Sequence, residues 1–285
     1  MRAGSSVLIT GASSGIGLAL ALHLARKGYR VFAGVRQHRD AEVLLARSKG
    51  RITPVQIDVT SPGSVEQAVQ QVAAQTQGSL DVLVNNAGVA FSSPLEMTAH
   101  DELTKLMNVN VLGTFAVTRA CLPLLRHAQG RIANISSISG VFAAPGLTAY
   151  VASKHAVEGM TAALRMEMAA HGVKVCSIAP GKIDTPIWSK GMETSDTLSK
   201  QHEGELQSVY RPLLDFYKRY ASTEAGIPMK TLLDTVDRAL DARQPQARYI
   251  VGRNAKWRAW LNCLPTRWRE GLVLRAVLSN VTRPR

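Results

Sequence analysis

In "AYVASKHAV" (149–157) a tyrosine, Tyr150, stands four positions before a lysine, Lys154. On a helix these two side chains lie one above the other on one face, about 6 Å apart along the axis. Moving a phenol's pKa from ~10 to ~7 needs roughly 4 kcal/mol of preferential stabilisation of its anion. A cation at ~4–5 Å contributes about 3–4 kcal/mol at an effective dielectric near 20. The pair is therefore expected to make Tyr150 a general acid and base at neutral pH. Thirteen positions upstream, "NISSISG" (134–140) puts Ser137 at the end of a strand candidate. A hydroxyl there can hydrogen-bond the oxygen that Tyr150 protonates. "NVNVLGT" (108–114) supplies Asn110 on a helix, either as a site residue or at a kink.

Such residues need a scaffold that brings strand ends together. Short apolar runs alternate with longer helical patterns: "SVLIT" (6–10), "RVFAGV" (30–35), "ITPVQI" (52–57), "LDVLVN" (80–85), "RIANIS" (131–136), "VKVCSIA" (173–179) and "ARYIV" (247–251). Helices are expected between them, as at 17–28 and 64–78. The alternation predicts a single doubly wound α/β domain with a seven-stranded parallel sheet. The domain is expected to span 1–252, including a substrate loop at 186–228. A basic extension, 253–285, follows.

"TGASSGIG" (10–17) joins the first strand to the first helix. Gly11 permits a tight turn, Gly15 lets backbone approach a pyrophosphate, and Gly17 permits close helix–sheet packing. Ser13, Ser14 and Ile16 complete the turn, whose helix N-terminus offers N–H groups to phosphates. At the end of the second strand, where a carboxylate would hold a ribose 2′-hydroxyl, the chain reads Val35-Arg36. Arg36 could pair with a 2′-phosphate, which favours NADP(H) over NAD(H). Asp58-Val59 would flank the adenine, with Asp58 also a candidate cap for the helix beginning near Ser61. "VNNAGVA" (84–90) supplies Asn86, Ala87 and Gly88 at the fourth strand's end. "PGKIDTP" (180–186) supplies a rigid turn whose Pro180, Gly181 and Ile183 would meet the cofactor, and puts Thr185 where a nicotinamide carboxamide could be held.

These motifs, in this order over residues 6–186, resemble those of the short-chain dehydrogenase/reductase family, closest to its retinol and 17β-hydroxysteroid dehydrogenase branch. The resemblance implies that Tyr150 is the proton donor and acceptor. Lys154 would lower its pKa and bind the nicotinamide ribose, Ser137 would position the carbonyl or hydroxyl, and Asn110 would hold a water in the proton relay. An alternative on the same fold is a non-catalytic NADP(H)-binding sensor or interaction protein, which the complete Asn110/Ser137/Tyr150/Lys154 set argues against. An isomerase or dehydratase is disfavoured by the GxxxGxG spacing, because the family's sugar-modifying branch usually shows GxxGxxG.

Within 186–228, Leu206, Val209, Tyr210, Leu213, Tyr217 and Tyr220 recur at helical spacing and are expected to cover the core and roof a cleft. "VFAAPG" (141–146) and Phe91 add apolar surface, and no Lys or Arg is clearly placed for an anionic substrate, with Lys182 and Lys190 left open. A small apolar alcohol or carbonyl compound is the expected partner. The chain carries a formal net charge of +13. Eight basic residues and one acidic residue lie in 253–285. Trp257, Trp260, Leu261 and Leu264 there suit either a peripheral membrane contact or a helix packed on the body or a second subunit. Nucleic-acid binding is disfavoured because the charge sits in one tail without a recognition motif. Helices at 101–127 and 149–171 pair subunits in many relatives, so a homodimer is an option.

The three cysteines are far apart, and the seven histidines lack ligand spacing. No disulfide and no metal site are expected, and the compartment suggested is the cytoplasm. The first residues hold too short an apolar run for a signal peptide, and no run of about 18 apolar residues predicts a spanning helix.

Overall fold

The structure, a computed structural model, describes residues 4–202, 204–223 and 225–278. Strands and helices alternate: β1 (Ser6–Ile9), α1 (Gly15–Arg26), β2 (Arg30–Val35), α2 (His38–Ser48), β3 (Ile52–Gln56), α3 (Pro62–Thr76), β4 (Val82–Asn85), α4 (His100–Met107), α5 (Gly113–Ala128), β5 (Arg131–Ile135), α6 (Thr148–Glu167) and β6 (Lys174–Pro180). Then come α7 (Pro186–Gln201), α8 (Glu205–Thr223), α9 (Met229–Asp241), β7 (Arg248–Val251), α10 (Arg253–Trp260) and α11 (Thr266–Leu278). All seven expected strands form, in one parallel sheet of order β3-β2-β1-β4-β5-β6-β7.

The apolar runs form strands because helices cover both faces of the sheet. In β1, Val7 and Ile9 join a core cluster with Leu20, Leu24, Leu232 and Val236 from α1 and α9. Leu8, pointing the other way, joins Val65, Val117 and Leu164 from α3, α5 and α6. Helix α1 buries Gly17, Leu20, Ala21, Leu24 and Ala25, the spacing of a single helix face. It stops before Gly28, whose φ of +85° a side chain would resist.

Strand order reverses direction between β1 and β4, which opens a crevice at the carboxyl ends of the strands. Asn86 fastens its two sides. Its Nδ2 donates to Thr10 O (2.9 Å) and Gly11 O (3.0 Å), while Thr10 Oγ1 accepts from Asn86 N (2.9 Å) and Ala87 N (3.0 Å).

The substrate-loop stretch is two helices, α7 and α8, tied back to the body by a parallel bridge between Ile183 and Ile227. The C-terminal stretch packs on the body through Ala255 and Leu261, which are buried against Ile138 and Phe142. Residues 279–285 of the expected extension lie outside the described residues. His100–Ala128 is long and apolar enough to cross a membrane. In this fold, however, its α5 part lies between β4 and α3, as a core helix does.

Candidate active site

Tyr150 sits in the first turn of α6, 5% exposed, with its ring edge-on to Trp188 of α7 at 6.2 Å. Ser137, just past β5, lies beside the phenol, close enough to favour its ionised form. Its Oγ also accepts from Ser139 N at 3.1 Å, so the hydroxyl is fixed from below. Lys154 is 6% exposed, donates to Ile135 O at 3.1 Å, and holds its Nζ 5.8 Å from the centre of the Tyr150 ring. The expected convergence of the three residues is present.

The expected electrostatics are not. Burial pushes the Tyr150 phenol up to about 12, with the Ser137 hydroxyl opposing. Burial likewise draws Lys154 down to about 8, with Glu158 opposing. The ammonium lies over the ring face and bonds to a backbone carbonyl, so desolvation outweighs its attraction for a phenolate. In this state the phenol holds its proton at neutral pH.

Asn110 occupies a π-helical turn, Asn108–Leu112, between α4 and α5. Such turns are frequent at functional sites. Its Oδ1 accepts from Val89 N (2.8 Å), and its Nδ2 donates to Val89 O (2.9 Å) and Ser153 Oγ (3.0 Å). Ser153 Oγ in turn donates to Tyr150 O at 2.8 Å. The carboxamide thus ties the segment after β4 to the first turn of α6. Both Nδ2 protons are engaged by protein, so a relay water would have to bind elsewhere on the residue. His155, next to Lys154, is exposed on the helix surface.

The glycine turn is shaped for a ligand's phosphates. Gly11 and Gly15 have φ of +65° and +54°. Ser14, the N-cap of α1, makes no side-chain cap, and both Ser13 and Ser14 are exposed, with Ile16 half-buried behind them. First-turn N–H groups are therefore left for an anion. Thr185, the N-cap of α7, faces this turn across the crevice: a Cβ on Gly15 would lie 3.3 Å from Thr185 Cβ. Pro180 ends β6, Gly181 N donates to Val251 O at 3.1 Å, and Ile183 is buried. Gly88 lies open toward the candidates, where a Cβ would come within 3.3 Å of Asn110 Oδ1 and 3.8 Å of Lys154 Nζ. Arg36 is exposed immediately after β2 and close enough to Asp58 to help hold its carboxyl below the usual range. These residues fit a dinucleotide: a cradle of glycines, an uncapped helix end and an exposed guanidinium at the strand tip.

A methyl at Gly17 would meet Gly11 O at 2.2 Å and Asn86 Nδ2 at 2.5 Å. Gly17→Ala must displace backbone rather than a flexible side-chain tip. Overpacking of this kind costs about 1–3 kcal/mol or more. The variant is expected to melt at least a few degrees lower and to lose the fluorescence change that accompanies dinucleotide binding. A calorimetric scan and an NADPH titration check both.

Asp58 does not cap α3. Its Oδ1 accepts from Thr60 N (2.9 Å) and Thr60 Oγ1 (2.7 Å), a local turn that also lowers its pKa. Ser61 caps the helix instead, accepting from Ser64 N. Asp58 meets the helix only through its backbone, its N–H donating to Ser64 Oγ at 2.9 Å. Val59 is buried against Gly113.

A pocket of about 310 Å³ opens at Ser137. Its apolar walls are Ile138, Phe142 and Leu147 from the body, Trp188 and Met192 from α7, Phe216, Tyr217 and Tyr220 from α8, and Trp257, Leu261, Val273 and Val277 from the C-terminal helices. Lys182, Asp196, Lys218 and Arg258 also line it, so cations do reach the pocket. The proposed α8 stripe is half right. Tyr217 and Tyr220 face the pocket, but Val209 is 63% exposed and Tyr210 reaches out to Glu96 at 2.9 Å. The helix covers the pocket only with its C-terminal half. Phe91 packs behind Tyr150 with Leu106 rather than in the pocket. The C-terminal wall was not anticipated, although Val273 and Val277 stand one helical turn apart. Nor were Trp188 and Met192, which have the same spacing.

The family model "short chain dehydrogenase" matches residues 5–196. Mouse retinol dehydrogenase 5 is 34% identical, over 96% of this chain and 87% of that protein. The oxidoreductase YbbO of Escherichia coli K12 is 44% identical, over 86% and 85%. A solved short-chain dehydrogenase of Burkholderia cenocepacia, in complex with NADP, superposes with a TM-score of 0.73 at 27% identity, covering all of both chains. The crevice, the glycine turn and these likenesses together make the chain a member of the short-chain dehydrogenase/reductase family, an oxidoreductase of CH–OH groups with a nicotinamide cofactor.

Proposed function

We propose that the protein interconverts an apolar alcohol and its ketone or aldehyde, of retinoid, steroid or long-chain type, with NADP(H) as cofactor. The observation that carries this reading is the position of Ser137, beside the buried Tyr150 phenol, on the lining of a pocket walled mostly by aromatic and aliphatic side chains. When bound, the cofactor supplies or accepts the hydride. The chain does the rest. Ser137 holds the substrate oxygen, and Tyr150 donates its proton to that oxygen in reduction and takes it back in oxidation. Lys154 sets the field around the phenol and holds the nicotinamide ribose, while Asn110 fixes the start of α6. The turn residues Gly11 to Gly17, Asn86 to Gly88, Asp58, Val59 and the Pro180–Thr185 segment would hold the dinucleotide.

The test is loss of NADPH absorbance on a panel of hydrophobic ketones and aldehydes. Turnover that grows with the apolar bulk of the carbonyl compound supports the reading. Tight NADPH binding with no turnover across the panel refutes it.

Arg36 carries the cofactor preference. A charge-assisted hydrogen bond is worth about 1.5–3 kcal/mol, or roughly 10- to 100-fold in affinity. Arg36→Ala is expected to weaken NADPH by that factor and leave NADH nearly unchanged, as read by fluorescence titration. Equal losses for both cofactors would remove the basis for the preference. Leu112, Phe115 and Met166 on the α5 and α6 side are exposed, and pairing of two copies through these helices would cover them.

A further inference from the structure

The C-terminal helices face two ways. Toward the body, Val273 and Val277 line the pocket and Leu261 is buried. Away from it, Trp257, Trp260 and Trp268 are 59%, 59% and 71% exposed, and Leu272 and Leu274 are 44% and 49% exposed. Tryptophan is on average a strongly buried residue, so three such rings on one short segment need a reason. Five of the thirteen exposed large apolar residues among the described residues fall in 253–278, under a tenth of the chain. Exposed Arg253, Lys256, Arg267 and Arg275 stand among them, and Glu270 is the segment's one acidic residue.

Cations interleaved with tryptophan and leucine match the boundary between anionic headgroups and acyl chains. We infer that α10 and α11 dock the protein on an anionic lipid surface. Trp257 and Leu272 belong both to this face and to the pocket wall. Docking therefore brings the wall of the pocket against the bilayer, where an apolar substrate is concentrated. That second step rests on the substrate reading above; the docking itself does not.

The experiment is sedimentation of the full chain with vesicles of phosphatidylcholine alone and of phosphatidylcholine mixed with phosphatidylglycerol. The chain pellets with the mixed vesicles, stays largely in solution with the neutral ones, and is released by high salt. Each cation near an anionic surface contributes about fivefold to partitioning, so Arg267→Glu/Arg275→Glu lowers it at least ~25-fold. Trp260→Ser/Trp268→Ser also lowers it, by removing the inserted rings. Neither pair lines the pocket, so melting temperature and reduction of a water-soluble carbonyl compound stay as in the parent. Pelleting does not depend on turnover, so an inactive enzyme that still pellets leaves the docking intact and sinks only the substrate reading. The inference is overturned if the parent ignores anionic vesicles or if both double variants pellet like it. It is equally overturned if the face proves to bind a second copy or a DNA oligonucleotide instead of vesicles.

Discussion

Tyr150→Phe is expected to lower turnover about a thousandfold, the middle of the range for removing a positioned general acid, while NADPH still binds. The ring keeps its edge contact with Trp188, and Ser137 Oγ keeps the hydrogen bond from Ser139 N. The change therefore removes one hydroxyl without orphaning its partner. A lost hydrogen bond of about 1 kcal/mol moves the melting temperature by only a few degrees in a chain this size. The proton position supplies a second readout. With burial holding the phenol near 12, Tyr150 is protonated at neutral pH, ready to act as the acid in carbonyl reduction. Alcohol oxidation needs the phenolate. Its rate is expected to rise about tenfold per pH unit below the phenol's pKa in the loaded enzyme, and this rise should vanish in the Phe variant. A variant with undiminished turnover, or with an unchanged pH slope, would take the proton transfer away from Tyr150.

The fold was legible because its strands are buried on both faces. Runs such as Val7-Leu8-Ile9 and Val82-Leu83-Val84 admit few readings other than a covered parallel sheet. Site positions were legible where a local rule fixes them. Gly11 and Gly15 must take positive φ, and Tyr150 and Lys154 must share a helix face. What spacing could not carry was solvation. The same i to i+4 geometry that promised a lowered phenol pKa lies in an interior where burial is the larger effect on both groups. Asp58 shows a second limit. Its choice between the nearby start of α3 and its own Thr60 depends on loop geometry that residue types do not encode. The pocket wall shows a third. Whether Val273 and Val277 return to the pocket depends on the turn at Leu261–Cys263, more than seventy residues after the last recognised motif.

A buried ammonium is a liability to the fold, and this sets the expectation for Lys154→Met. Lys154 falls from an ordinary value of 10.5 to about 8 because burial disfavours its charge. A shift of that size corresponds to about 3 kcal/mol. Below pH 8 the amine is charged in both the folded and the unfolded chain, and the folded state bears the whole penalty. Between about 8 and 10.5 the unfolded chain still holds the proton that the folded chain has lost, so stability rises with pH. Above that window the penalty is gone. Methionine fills the same space without the charge. Against this gain stand the lost hydrogen bond to Ile135 O and the lost neighbour of Glu158, which keeps Arg248 at 2.8 Å and Ser177 at 3.0 Å. A net gain of about 1–2 kcal/mol remains, worth roughly 2–8 °C in melting temperature. Turnover should fall at least a hundredfold, because Lys154 is the cation that stands against the phenol ring among the described residues. Thermal scans of both proteins from neutral pH to above 10 test the sign. The Met variant should melt higher at pH 7, with the gap closing as pH climbs from 8 to 10.5. A variant that melts lower at every pH would mean that Lys154 is held for its hydrogen bonds. A variant that is more stable yet equally active would mean that the chain keeps a costly buried charge for no catalytic return.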